Sequence, residues 1–305
     1  MLLTKATLTA NHCPICEAPS AYELIKDGCP YFQCSACDFL FHRKAEIANI
    51  REYDQDYWEH ERHEALRRER EDCFLRALEL LYVSTIPVQN ILDFGCGGGV
   101  TVTMLRDKLY LNAVGIDPFG EFEESSFLHR SSLKELSDKY PQGFFDAIYS
   151  IEVFEHLENP KQTMAELCYL LKPGGKLLVN TGTREFLAKY DPQADYIDPL
   201  GRGHISIYTL KSFNALGLGF GLNARFLGDR KYMVLLEPQV TAESYPQHNN
   251  LAALRRLGEW FPMLFGEYMR LILVEEEFEQ RMAWAVALDQ ELRVLKARNA
   301  ASSAI

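Results

Sequence analysis

The stretch ILDFGCGGGV at 91–100, followed by AVGIDP at 113–118, limits what this chain can fold into more than any other feature. Ile91 and Leu92 fit a short buried strand, and Gly95, Gly97, Gly98 and Gly99 remove every Cβ from the turn that follows. A ligand can therefore lie directly against backbone there. Asp117 closes the second apolar run, Ala113 to Ile116. It stands about twenty residues beyond the turn, where a carboxylate accepts hydrogen bonds from the two hydroxyls of a ribose. Strand, glycine turn, helix and a strand ending in a carboxylate together specify a nucleoside, without saying which.

Two details argue against a nicotinamide nucleotide. Val100 replaces the third glycine of G-x-G-x-x-G, and Asp93 stands two positions before the first. The form D-x-G-x-G-x-G resembles the class I S-adenosylmethionine-dependent methyltransferases. GFFDAIYSIEVFEHLENP at 143–160 is similar to that family's fourth strand and its exit, and LLKPGGKLLVNT at 170–181 to the loop and fifth strand that follow. Sequence rules point the same way: Asp146 to Ile151 is apolar enough for a buried strand, Pro160 can open a helix, and Pro173 with two glycines ends it. The resemblance covers residues 88–237 and is closest to enzymes related to the ubiquinone-biosynthesis O-methyltransferases. It implies an α/β fold with a Rossmann-like, seven-stranded methyltransferase sheet and S-adenosylmethionine as cofactor. Asp93, Gly95, Gly97 and Gly99 would hold its methionine part, Asp117 the ribose, and Ser132 and Leu133 would lie near the adenine. Cys96 stands in the loop, where relatives often carry a small or apolar residue.

Ahead of this region, Cys13-x-x-Cys16 and Cys34-x-x-Cys37 are separated by seventeen residues. Four thiolates at that spacing close a tetrahedral zinc site, whose binding energy replaces the core that so small a module lacks. A structural zinc ribbon over 1–45 is expected. Zinc activation of a thiol substrate would need an open coordination position, and four cysteines leave none. Cys29 and His42 are near enough in sequence to substitute for a ligand, and Tyr31, Phe32, Phe39 and Phe41 are expected to pack the ribbon. The resemblance implies that such a module covers or shapes the acceptor pocket.

Composition bounds the function classes. The chain has 305 residues, is 47% hydrophobic and carries a net charge of −11, which argues against nucleic acid as a partner. Arg62, Arg67, Arg68 and Arg70, interleaved with Glu61, Glu64, Glu69 and Glu71, read as a solvated helix face. No uncharged run approaches a bilayer span and the amino terminus has no secretory pattern, so a cytoplasmic location without membrane insertion is expected.

Residues 46–86 form an expected helical linker or lid, with Tyr53, Tyr57 and Trp58 either closing over the site or packing. The methyltransferase domain is expected over 87–240. It includes a polar connection, 182–206, where related enzymes bind their acceptor, then a helix at 209–218 and a final strand pair, 223–227 and 232–236. Residues 241–305 form an expected helical extension, whose stripe of Val274, Phe278, Ala285, Leu288, Leu292 and Leu295, interrupted by Arg281, docks on its own domain or pairs two subunits as a homodimer.

Methyl transfer from a sulfonium needs alignment, exclusion of water and, for a hydroxyl or acidic carbon, a base. His156 and His204 are the candidate catalytic residues. Glu152 and Glu155 would orient the pocket, and Tyr190, Tyr196, Asp195 and Asp198 stand second. The expected activity is methylation of a small polar acceptor, such as a sugar, a nucleotide-linked sugar or a secondary metabolite, on oxygen before carbon. An RNA methyltransferase and a non-catalytic cofactor-binding scaffold remain open as alternatives.

Overall fold

The computed structural model describes residues 11–43, 69–190 and 196–238. The lid aromatics Tyr53, Tyr57 and Trp58, the candidate Asp195 and the whole carboxyl-terminal stripe, with its homodimer, lie outside the described residues.

The amino-terminal strands are β1 (Asn11–His12), β2 (Pro19–Lys26), β3 (Cys29–Cys34) and β4 (Leu40–Phe41). A π-helical turn, Glu69–Cys73, leads into α1 (Phe74–Val83), whose buried Phe74, Ala77, Leu78 and Leu81 recur at helical spacing. Then follow β5 (Asn90–Phe94), α2 (Val100–Leu109), β6 (Asn112–Ile116), β7 (Leu128–His129), α3 (Leu133–Lys139), β8 (Phe145–Ile151), α4 (Pro160–Leu170) and β9 (Leu171–Asn180). The chain continues through α5 (Arg184–Tyr190), β10 (Ser206–Ile207), α6 (Leu210–Leu218), β11 (Leu222–Leu227) and β12 (Arg230–Pro238). Pro160 is the first residue of α4, a position where its missing N–H costs nothing.

Seven strands make one sheet in the order β11-β12-β9-β8-β5-β6-β7. β9, β8, β5, β6 and β7 run parallel, and β12 is antiparallel to both β9 and β11. The parallel strands are buried on both faces, as a sheet covered on each side requires. The order turns back at β5, so the carboxyl ends of β5 and β8 open beside the topological switch, where doubly wound sheets bind ligands. Among the described residues no helix is long and apolar enough to cross a membrane.

The ribbon does not stand apart. β10 pairs antiparallel with β4, Ser206 opposite Phe41 and Ile207 opposite Leu40, giving a five-stranded sheet β1-β2-β3-β4-β10. Phe32, Phe39 and Phe41 share one core with Phe154, Tyr208 and Phe213. Tyr31, on the other face of β3, packs with Leu187 and Ile197. Burial of each Phe contributes about 1.5–3 kcal/mol, against about 1 kcal/mol for a backbone hydrogen bond, so packing rather than the short β4–β10 ladder holds the ribbon down. The four aromatics pack as expected, but across the junction as well as within the ribbon.

Candidate functional site

The glycine turn between β5 and α2 alternates through the left-handed region, with φ of 85° at Gly95, 57° at Gly97 and 75° at Gly99. A Cβ on Gly95 would lie 2.2 Å from Val153 Cγ2, so both backbone conformation and contact demand glycine there. Asp117, at the end of β6, accepts the Gly97 N–H at 3.0 Å and the Phe119 N–H at 2.9 Å. Asp93 is turned inward and accepts the Tyr149 hydroxyl at 2.7 Å.

A third carboxylate joins them. Glu69, from the π-helical turn, accepts the Gly98 N–H at 2.6 Å and the Val100 N–H at 2.9 Å, and its carbonyl accepts the Thr101 hydroxyl at 2.7 Å. Glu69 is 6% exposed, so the solvated helix face expected from the alternating charges fails at this residue. The physical cause is the amino terminus of α2, whose unpaired N–H groups and dipole attract an anion. Nothing in the local pattern separates Glu69 from its neighbours.

Burial raises the Asp117 carboxyl to about 6 against the pull of its two amides. Burial likewise raises Glu69 to about 7, with the Asp117 charge adding to it, and pushes Asp93 well above the carboxylate range. Three crowded, buried carboxylates favour a ligand that brings positive charge. Leu133 is buried, in the core that also holds Leu92 and Ile116. Ser132 caps α3, its hydroxyl and amide tied to Glu135, whereas the buried Ser131 hydroxyl has no hydrogen-bond partner among the described residues.

The other candidates gather at the ends of β8 and β9. Glu152 adopts φ of 54°, a conformation that costs a non-glycine residue on the order of 1 kcal/mol and that clusters at functional sites. Its N–H donates to the Asn180 carbonyl and its carboxylate accepts the Asn180 amide, both at 2.9 Å, which holds it there. Glu155 is wholly buried and accepts hydroxyls from Thr181 and Tyr196, each at 2.9 Å.

His156 lies in the 3₁₀ turn Phe154–His156, and its ring meets that of His204 edge-on at 4.9 Å. The pair expected from sequence is brought together, although 47 residues separate its members. His204 Nδ1 lies 2.6 Å from the Tyr196 carbonyl, and His156 Nδ1 lies 3.2 Å from that of Gly203. A carbonyl only accepts, so each Nδ1 carries a proton, and in a neutral ring the lone pair is then on Nε2. Burial, and then the His156 charge, lower His204 to about 3, which keeps it neutral. Donor atoms of Glu155, His156 and His204 lie within 4.8 Å of one another, a set able to take a proton or a divalent cation. Asp198 lies in a turn, where its carboxylate accepts the Gly201 N–H at 2.7 Å and its carbonyl the His204 N–H at 3.1 Å.

The four ribbon cysteines converge, with all four Sγ atoms within 4.8 Å of one another. Sulfur separations are 3.6 Å for Cys13–Cys37, 3.4 Å for Cys16–Cys34 and 3.6 Å for Cys16–Cys37. Those are too long for disulfides and near the roughly 3.8 Å edge of a tetrahedron with metal–sulfur bonds of about 2.3 Å. N–H groups of Ile15, Ala36 and Cys37 point at Cys13 and Cys34 sulfurs, at 3.3 to 3.4 Å, as partners of thiolates. Cys29 and His42 stand outside the cluster, Cys29 directed at the Asp27 carbonyl and His42 Nδ1 at that of Pro30.

A family model described as methyltransferase domain matches residues 51–225, more than half of the chain. The human mitochondrial ubiquinone biosynthesis O-methyltransferase is 33% identical over 106 residues, covering 30% of this chain and 28% of that protein. The ubiquinone biosynthesis O-methyltransferase of Xanthomonas euvesicatoria is 32% identical over 125 residues, covering 36% and 51%. The chain thus spans about half or less of the length of these relatives. A SAM-dependent methyltransferase structure from Archaeoglobus fulgidus matches with a TM-score of 0.45 at 17% identity, over 61% of this chain and 100% of that one. The plantazolicin methyltransferase BpumL, in complex with SAH, matches at 0.42 and 15%, over 56% and 87%.

Proposed function

The chain belongs to the methyltransferase domain family and carries a class I S-adenosylmethionine-dependent methyltransferase domain. From that premise we propose that the protein transfers a methyl group to a small polar acceptor with several hydroxyl groups, such as a sugar or a nucleotide-linked sugar. Oxygen is the first choice of acceptor atom. The observation that carries the proposal is the pairing of two unlike halves: a glycine turn ringed by Glu69, Asp93 and Asp117, and a histidine pair whose lone pairs lie on Nε2.

Gly95, Gly97 and Gly99 would admit the methionine part of the cofactor, Asp117 would accept its ribose hydroxyls, and Leu133 would border the adenine. The buried carboxylates fit a cation, and the unpartnered Ser131 hydroxyl fits a polar ring edge. When bound, S-adenosylmethionine supplies a methyl group already activated on a sulfonium. What remains for this chain is to hold the acceptor in line, exclude water and remove a proton. The Nε2 of His204 or His156 takes that proton. Its Nδ1–H stays on a backbone carbonyl, which fixes the tautomer and aims the ring. Glu155, held by Thr181 and Tyr196, stabilises the imidazolium that forms, its Oε1 4.0 Å from His204 Nε2. The four-cysteine cluster would hold a structural zinc ion, with no position open to substrate.

The test is calorimetric titration with S-adenosylhomocysteine beside NAD, followed by transfer of labelled methyl to a panel of sugars and nucleotide-linked sugars. Micromolar binding of the former alone, with label in a sugar, is expected. NAD binding without it defeats the proposal. The net charge of −11 argues against the RNA methyltransferase alternative, which salt-sensitive RNA binding would revive.

A further inference from the structure

The ribbon and the acceptor-side histidines share more than a boundary. Tyr31 sits on β3 three residues before Cys34, fully buried, and its hydroxyl donates to the His204 carbonyl at 2.5 Å. The His42 N–H donates to the Ile205 carbonyl at 2.8 Å, and the Thr209 hydroxyl to the carbonyl of Cys37 at 3.0 Å. From the α/β side, the Ile205 N–H donates to Glu155 and the His204 N–H to Asp198. The main chain that carries His204 is therefore clamped between a ribbon strand and the turn that carries Glu155. Of those five bonds, the three that involve Tyr31, His42 and Cys37 reach the ribbon.

We propose that Tyr31 is a positioning residue for His204, and that the four-cysteine centre governs the aim of that imidazole through β3. The proposal rests on the acceptor-side role given to His204 above. A phenylalanine at 31 would fill the same space among Leu187, Ile197 and Ile207, so what the hydroxyl adds is the bond it donates. Burial pushes the phenol well above its ordinary value, so it remains a donor at any working pH. The His204 imidazole points the other way along the same residue, with Nδ1 on Tyr196. Fixing the carbonyl on one side and Nδ1 on the other leaves the ring one orientation, with Nε2 toward Glu155. On this view the ribbon is the rear wall of the acceptor site, and its metal acts on that site at a distance without touching substrate.

The test uses the full-length, zinc-loaded chain with nitrogen-labelled histidine, read by NMR, the His204 signals being identified by their loss in H204Q. The native protein is expected to show one His204 tautomer, protonated on Nδ1. Tyr31→Phe is expected to give a mixture of tautomers, with zinc content and S-adenosylhomocysteine affinity within twofold of native. A His204 spectrum unchanged in that variant overturns the proposal. Should Tyr31→Phe not fold, stripping the native protein with a chelator serves instead: loss of the single tautomer is expected, and its persistence after the metal has gone overturns the proposal. Ser35→Ala, an exposed ribbon change, is the control expected to leave all signals in place. Failure of the native protein to bind S-adenosylhomocysteine would defeat the functional proposal and leave the tautomer result standing, so the two failures are told apart.

Discussion

The glycine turn and the histidine pair are built in opposite ways. The turn itself is one short stretch, 93–100, held by Asp117 across a single strand–helix–strand unit, with Glu69 the one outlying residue that joins it. The histidine pair has no local unit at all. His156 comes from the exit of β8, His204 from the end of a connection that runs past β9, and the strand at their back, β3, comes from the ribbon. A site held by neighbours in sequence can be conserved in shape while the rest of the chain changes. One held by three distant segments stands or falls with their packing.

That contrast can be broken on either side. The largest effect is expected from Cys34→Ser with Cys37→Ser, which removes half of a four-thiolate cluster whose proposed zinc would contribute on the order of 10 kcal/mol. Metal analysis should find none bound, and the His156–His204 region should lose hydrogen-exchange protection while the glycine turn keeps it. Equal loss of protection in both would end the contrast.

Next, His204→Gln should lower the rate of methyl transfer to an identified acceptor by roughly 10²–10⁴-fold, the usual contribution of a general base, with S-adenosylhomocysteine affinity unchanged. His156→Gln, measured in the same assay, decides which ring takes the proton. If neither variant slows transfer by tenfold, the assignment of a histidine base is lost.

On the other side, Asp117→Ala should weaken cofactor binding roughly ten- to a hundredfold by calorimetry, through two charge-assisted hydrogen bonds. The native affinity in that variant would remove Asp117 from the ribose site. The His204 tautomer should not change.

The smallest effect concerns pH. Glu69 rises from 4.5 to about 7 and Asp117 from 3.8 to about 6 in the folded chain, so the native state binds more protons than the unfolded one between those values. Stability of the ligand-free protein should therefore fall as pH rises from about 4 to 7 through these two groups. Glu69→Gln should flatten the part of the fall above pH 4.5, seen as a smaller change in melting temperature with pH. S-adenosylmethionine, a cation, should bind more tightly over the same rise. A pH dependence of melting identical in Glu69→Gln and native protein would show that Glu69 does not titrate there.

Much of the glycine turn and of the cysteine cluster was legible beforehand because their signals are local. Positive φ needs glycine, a strand ending in a carboxylate shows in a short window, and C-x-x-C pairs announce a tetrahedral cluster. The strands around 91, 113, 146, 223 and 232, and the helices opening at Pro160 and capped by Thr209, fall where the sequence places them. His156 and His204 were legible as residue types at the expected end of the sheet. Their contact, and the tautomer that their carbonyl partners impose, were not.

Glu69 shows where local reading fails. Its neighbours alternate in charge as a solvated helix does, and only the end of α2, about thirty residues on in the chain, makes this one glutamate a buried cap. The pairing of β10 with β4 fails for a related reason. Two residues carry no periodicity, so the strand exists because the ribbon offers its edge. The sequence by itself determined the glycine turn and the cysteine cluster, because each rests on backbone conformation or spacing within a few tens of residues, and its resemblance to a known family implied the seven-stranded α/β frame around them. Tertiary structure alone decided that Glu69 joins Asp117 at the turn, that each histidine Nδ1 meets a backbone carbonyl, and that a ribbon strand lies behind His204. Those outcomes depend on which donors and acceptors meet once distant apolar surfaces have packed, and no local pattern encodes that.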